Sequence, residues 1–221
     1  MTEDEHPVVV FDLDGTITRR DTYVPFLLYS LYKQPLKILR LPVLAIDVLR
    51  HKIGSQSNSW LKTRFLRAFL AGQKRSVIDS WAEAFSQRTF KKGLHLDAMS
   101  SIQRHLQQGH ELVLLSASLD IYVEPLGKLL GFKHIICTRT TWENDLLGDE
   151  LDGGNCYGEI KVQKLKQWLG QRDDKCVSMA YADHESDFSL LEIAQRGVVI
   201  NPGKKLRELA ISEQFEVAEW N

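Results

Sequence analysis

Asp12 and Asp14 stand two residues apart in VVVFDLDGTIT, directly after four apolar, strand-prone residues, Val8 to Phe11. Burial and like charge both oppose ionisation of such a pair, so a strand ending this way is costly unless the carboxylates have a chemical task. A divalent cation beside them removes the conflict, and an oxygen-only donor set suits Mg²⁺ better than zinc. Two later apolar runs end in the same kind of group: LLSAS places Ser116, and MAYADHESD places Asp183 and Asp187. Between them Lys161 falls at the start of a helical pattern in NCYGEIKVQKL, where an ammonium and a helix N-terminus both favour phosphate. Taken singly, Ser116 reads as a turn residue, Lys161 as a solvated helix lysine and the DLDGT stretch as an Asx-type turn. Taken together they suit phosphoryl transfer, in which charge built on the equatorial oxygens must be neutralised. His184 follows Asp183 directly and reads as a spacer, because hard Mg²⁺ prefers oxygen.

The elements that must position these groups alternate. A helical stripe through Leu94, Met99, Ile102 and Leu106 stops at Gly109, and Glu111 to Leu115 predicts a strand ending in Ser116. Then follow a helix over 121–130, a strand over 135–137, a Gly-rich, acidic, hairpin-like stretch over 140–154 and a helix over 159–169. A strand over 176–180, a helix over 186–194, a strand over 198–200 and a helix after Pro202 complete the pattern. This order predicts an α/β fold, a doubly wound, mostly parallel sheet with ligands beyond the carboxyl ends of its strands. From Asp21 to about Phe90 every signal is helical, with apolar stripes through Trp60 to Phe69 and Val77 to Phe85 on either side of Gly72.

The chain of 221 residues is long enough for one large domain or a core with an insertion. Cys137, Cys156 and Cys176 lie far apart without CxxC spacing, which predicts reduced thiols and a cytoplasmic setting, and the acidic, polar MTEDEHP argues against a secretory signal. Net charge is −1, yet residues 19–92 hold fifteen basic against four acidic side chains, a balance of +11 that leaves −12 elsewhere. That asymmetry reads either as a basic module facing an anionic partner or as a solvated helical face. Between Tyr23 and Leu49 bulky apolar residues accompany Lys33, Lys37 and Arg40 with a single acid, the composition of a segment lying in an anionic membrane interface. Those charges and Pro25, Pro35 and Pro42 leave no stretch able to span a bilayer.

DxDGT behind a hydrophobic strand resembles the first motif of the haloacid dehalogenase superfamily of phosphatases, and the four stations in this order extend the resemblance over essentially the whole chain. The resemblance implies a Rossmann-like core of residues 1–20 and 93–221 with an all-helical cap over 21–92. It implies Asp12 as nucleophile, Asp14 as general acid and base, Ser116 as phosphate-binding hydroxyl and Lys161 as phosphate-binding charge stabiliser. The Mg²⁺ set would be Asp12, Asp14 through its backbone carbonyl, and Asp183, with Asp187 in support. Ala182 stands where the family usually has Gly before the metal-binding Asp. The helical insertion resembles the phosphoserine-phosphatase-like subfamily IB, and DLDGTIT, LLSAS and NCYGEIK look most like its phosphatidylglycerophosphatase C branch. Asp21 and Arg64 fall about where phosphoserine phosphatases read substrate, and read otherwise as a helix cap and a surface charge.

The implied activity is Mg²⁺-dependent hydrolysis of a phosphate monoester through an aspartyl-phosphate, on a phospholipid headgroup such as phosphatidylglycerophosphate or on phosphoserine or another small metabolite. A different class of reading keeps the fold as a membrane-surface or partner-binding module on an inactive core. Nucleic acid is not an expected partner. Peripheral contact through the cap with the inner face of an anionic membrane is.

Overall fold

A computed structural model describes residues 7–170 and 176–221, so the MTEDEH part of the N-terminal reading lies outside the described residues. Among them, seven strands make one sheet: β1 (Val8–Phe11), β2 (Glu111–Leu119), β3 (His134–Glu143), β4 (Leu146–Asp152), β5 (Val177–Ala182), β6 (Arg196–Ile200) and β7 (Glu216–Ala218). Their spatial order is β4-β3-β2-β1-β5-β6-β7, all neighbours parallel except the antiparallel β3–β4 pair. The chain leaves β1 towards β2 on one side and later returns to β5 on the other. Such a switch point opens a crevice at the carboxyl ends of the strands, here behind Phe11.

β1 is buried on both faces, which is why its sequence is apolar throughout rather than alternating. Val9 and Phe11 enter one half of the core with Leu112 and Leu114, while Val8 and Val10 enter the other with Val113 and Leu115. Helices cover both faces: α5 (Leu96–Gln107), α6 (Asp120–Leu129), α7 (Glu159–Leu169), α8 (Phe188–Glu192) and α9 (Lys204–Ser212). Between β1 and α5 run α1 (Tyr23–Lys33), a 3₁₀ segment Pro35–Arg40, α2 (Leu41–Lys52), α3 (Asn58–Phe69) and α4 (Arg75–Lys92), with no strand.

Several boundaries differ from the sequence reading. β2 runs on through Ser116 to Leu119, so the hydroxyls at 116 and 118 are strand residues rather than turn residues. β3 reaches Glu143 and pairs with β4 across Asn144 and Asp145, both at positive φ (47° and 66°), the conformation of a tight hairpin turn. The helix expected over 186–194 is a 3₁₀ turn Glu185–Asp187 followed by the short α8. β7 is a three-residue edge strand, too short to show a period. The hairpin braces the helical segment: Gly72 donates to the Leu147 carbonyl at 2.8 Å and Arg75 N–H to that of Asp145 at 2.9 Å.

Candidate active site

β1 delivers Asp12 to the crevice, its N–H tied to the Tyr181 carbonyl of β5 at 2.9 Å. α7 starts behind Gly158, held at φ 57°, so Lys161 lies in its first turn and reaches back towards β1. Lys161 Nζ donates to Asp12 Oδ1 at 2.6 Å and to Asp187 Oδ1 at 2.8 Å, and all three side chains are buried. The other oxygen of Asp12 accepts no hydrogen bond among the described residues. Burial works against the charge of Lys161, but the carboxylates of Asp12 and Asp187 outweigh it and hold the ammonium protonated. Burial pushes Asp12 up, Lys161 pulls it down, and Asp187, Asp183 and Asp14 push it up again.

Asp14 points elsewhere. Its Oδ1 accepts from the Thr22 N–H at 2.7 Å and the Thr22 hydroxyl at 2.6 Å, and its Oδ2 from the Ser118 hydroxyl at 2.6 Å. Burial raises its pKa, against the opposing pull of the Ser118 and Thr22 hydrogen bonds. Asp183 lies at the end of β5, its Oδ1 accepting from Thr16 at 3.2 Å, and burial lifts it to about 6 while the Thr16 bond opposes. Gly15, at φ 80°, permits the approach of the two motifs, since a Cβ there would lie 2.0 Å from Asp183 Oδ2.

These residues line a cavity of about 540 Å³ whose other wall is apolar: Val24, Leu27, Val48, Leu61 and Phe65 from the helical segment. A model of haloacid dehalogenase-like hydrolases matches residues 9–192. The chain belongs to that family. It is 33% identical over 202 residues to Protein CicA of Caulobacter vibrioides, covering 89% of this chain and 87% of that one. It is 27% identical over 167 residues to a histidinol-phosphatase of Neisseria meningitidis, covering 71% and 74%. A phosphoserine phosphohydrolase-like protein from Francisella tularensis shares the fold at TM-score 0.61 and 18% identity, covering 96% of this chain and 94% of that one.

As a haloacid dehalogenase-like hydrolase the chain gathers four carboxylates, Asp12, Asp14, Asp183 and Asp187, around a single lysine between Asp12 and Asp187. Among the described residues no three acidic, histidine or cysteine side chains converge on one point at ligand spacing, so there is no closed cage. An open oxygen site is what Mg²⁺ uses, with one or two carboxylates and the rest water or phosphate oxygen. The excess of buried acid and the close approach of Gly15 to Asp183 fit such a cation. Both oxygens of Asp14 are engaged by Thr22 and Ser118, whereas Asp12 and Asp187 each give one oxygen to Lys161 and Asp183 gives one to Thr16, so each of these three keeps an oxygen for a cation.

The remaining sequence expectations separate. Ser116 is fully buried, its Oγ accepting from the Ser118 N–H at 3.0 Å, and the cavity itself is faced by Ala117 and Ser118. Asp21 lines the cavity and caps α1 by accepting from the Val24 N–H at 3.0 Å. Arg64 does not line the cavity: its Nε pairs with the buried Asp47 of α2 at 2.7 Å. His184 is exposed and caps the 3₁₀ turn through the Ser186 N–H at 3.1 Å.

The cation that does enter the cavity from α3 is Lys62, which sequence reasoning missed. It is buried and donates to the Ala117 carbonyl and to Asn155 Oδ1, the latter at 2.7 Å. Burial lowers it to about 8, against the pull of Asp14 and Asp21. Its spacing of four and seven residues from Leu66 and Phe69 puts a lysine on the apolar face of α3, a signal readable from the sequence.

Proposed function

We propose that the chain is a Mg²⁺-dependent phosphate monoester hydrolase acting through an aspartyl-phosphate on Asp12. The observation carrying this reading is the buried Lys161 bridge to Asp12 and Asp187 on a cavity that Asp14 also lines. Lys161 fixes Oδ1 of Asp12, and the other oxygen attacks phosphorus; that P–O bond forms as the ester P–O bond breaks. The alcohol leaves with a proton from Asp14, whose raised pKa keeps that proton available. Water then gives its proton to Asp14 and attacks the acyl phosphate, releasing phosphate and restoring Asp12. Lys161 and the backbone N–H groups at the cavity end of β2 bear the charge on the transferring oxygens, while the Ser118 hydroxyl holds Asp14. Asp12, Asp183 and the carbonyl of Asp14 would hold a Mg²⁺ ion, which would supply Lewis-acid neutralisation of the same oxygens. Asp12→Asn tests the assignment: turnover of an aryl phosphate with Mg²⁺ falls below about a hundredth of wild type, and no hydroxylamine-labile phosphoprotein is trapped by acid quench. Retained turnover would reassign the nucleophile, and no turnover by wild type would favour an inactive binding module.

For the leaving group we propose a lipid alcohol, with phosphatidylglycerophosphate as the example, because the cavity wall contributed by α1, α2 and α3 is apolar. Eleven of the seventeen large apolar residues exposed among the described ones fall between Val24 and Ile53, which supports peripheral contact of this segment with a membrane. Among the described residues no helix is long and apolar enough to cross one. Asp21 and Lys62 at the same cavity favour the second reading, a small zwitterionic ester such as phosphoserine. A comparison of kcat/KM for a micellar lipid phosphate and phosphoserine separates the two.

A further inference from the structure

The sequence reading assigns the membrane-facing charge to Lys33, Lys37 and Arg40, and the structure gives these cations other partners. Lys37 Nζ donates to the Phe69 carbonyl at 2.7 Å and Arg40 Nη1 to that of Ala68 at 2.6 Å, closing the C-terminus of α3. Lys33 lies over the rings of Tyr29 and Tyr32, 5.4 and 5.9 Å from their centroids. Arg50 and Arg64 pair with Asp47, Arg67 with Asp149 and Glu150, and Arg75 with Asp145. Much of the +11 charge is therefore satisfied within the fold.

Seven of the fifteen cations are not: Lys52, Lys74 and Lys91, which lie apart, and four that lie together. Arg19 and Arg20 from the loop before α1, and Arg88 and Lys92 from the last turns of α4, have no ion-pair or hydrogen-bond partner for their side chains among the described residues. They line one groove of about 840 Å³, on a wall of Pro25, Leu28, Tyr29, Tyr32 and Phe85. One edge is therefore cationic and the other aromatic and aliphatic. Asp21 lines both this groove and the catalytic cavity. Val24, at the cavity, and Leu28, at the groove, are one helical turn apart on α1, and both are exposed. The two sites thus open along one exposed face of the same helix.

We propose that this groove is a second, non-catalytic site that seats the headgroup of an anionic membrane lipid, the four cations meeting its phosphate and the α1 wall meeting the start of its chains. The proposal rests on the membrane contact proposed above and gives it a place. Charge complementarity selects the occupant: desolvating unpaired arginines beside apolar surface is favourable only against an anion that brings apolar area with it. A lipid held there would bring the mouth of the catalytic cavity to the bilayer surface, where a lipid phosphate ester is presented.

Co-sedimentation with vesicles at low salt tests this, using mixed phosphatidylglycerol and phosphatidylcholine against phosphatidylcholine alone. Wild type pellets with the mixed vesicles only, and Arg88→Glu with Lys92→Glu weakens that binding about tenfold or more. The double variant keeps wild-type turnover of a soluble aryl phosphate, which shows it is folded. Arg88→Gln with Lys92→Gln, which puts no acid at the end of α4, shows a smaller loss of the same sign. Unchanged binding by both variants overturns the groove and leaves the membrane contact standing. Equal pelleting with phosphatidylcholine alone also overturns the groove, because the contact is then apolar. Displacement by millimolar glycerol 1-phosphate at constant ionic strength overturns the lipid as occupant in favour of a soluble phosphate. Absence of wild-type binding to either vesicle rejects the membrane contact itself, and the groove with it.

Discussion

Asp14 and Asp12 are two residues apart, yet their surroundings set them different tasks. Asp12 faces an ammonium, whereas Asp14 faces only neutral donors, the N–H and hydroxyl of Thr22 and the hydroxyl of Ser118. A carboxyl raised by burial and fixed by three donors is suited to carrying a proton to one defined place. Asp14→Asn is therefore expected to reduce kcat most for alkyl phosphates, whose leaving groups need the proton, and least for nitrophenyl phosphate. Steady-state rates on the two substrate types check this, and equal losses would remove the acid role. A second residue-scale expectation concerns His105, whose ring nitrogens meet His110 Nδ1 at 2.7 Å and the Tyr181 hydroxyl at 2.9 Å. Burial, then His110 and Arg104, lower it to about 4. The unfolded chain binds this proton near pH 6.5 and the folded chain does not until about 4. Stability is thus complete above pH 6.5 and declines as pH falls towards 4, and His105→Gln flattens that part of a urea-denaturation profile.

At the scale of elements, the site depends on β1 and β5 ending side by side, with Gly15 as the point of contact. Gly15→Ala places a methyl where Asp183 Oδ2 now lies and asks Ala to hold φ 80°, a conformation costing about 1–2 kcal/mol. The expected result is a folded protein with modestly lowered stability and a much larger loss of activity, read by comparing denaturation midpoint with kcat/KM. The strands that bear chemistry were legible because each is a short apolar run ending in a polar residue of unusual type. The carboxylates and Lys161 were legible for the same reason, since buried charge is rare without a purpose. The long β3–β4 hairpin was less so, because Thr138 to Thr141 and Leu146 to Asp152 mix strand formers with charge on a half-exposed pair. β7 gave too few residues for a pattern. Lys62 and Arg64 are two basic residues two positions apart on α3 that face opposite ways, and the apolar stripe Lys62 shares with Leu66 and Phe69 is the signal that marks it as the inward one. Ser118 and Thr22 escaped because their roles lie in hydroxyl bonds to Asp14 across 104 and 8 residues, which no local pattern encodes.

For the molecule as a whole, the acid cluster stores repulsion in the middle of the sheet, held by a fold stable enough to bear it. Asp12, Asp14 and Asp183 are each raised by burial, and Lys161 offsets only part of their mutual charge. A bound divalent cation would stabilise the native state by mass action, because the unfolded chain does not hold these carboxylates near one another. Thermal denaturation of the wild type is therefore expected to shift upwards with Mg²⁺ in a saturable way, by about 2.7 kcal/mol of added stability when the free cation is a hundred times its dissociation constant. Asp183→Asn separates the site from a general salt effect. It removes one charge from the cluster while keeping the side chain's size and its ability to accept from Thr16. Without Mg²⁺ the variant should melt at or above the wild-type temperature, since a source of repulsion is gone. With Mg²⁺ it should gain little, and its turnover should fall steeply. A variant that melts lower than wild type without Mg²⁺, or that keeps the full Mg²⁺ shift, would place the cation away from Asp183 and return that residue to a structural bond with Thr16.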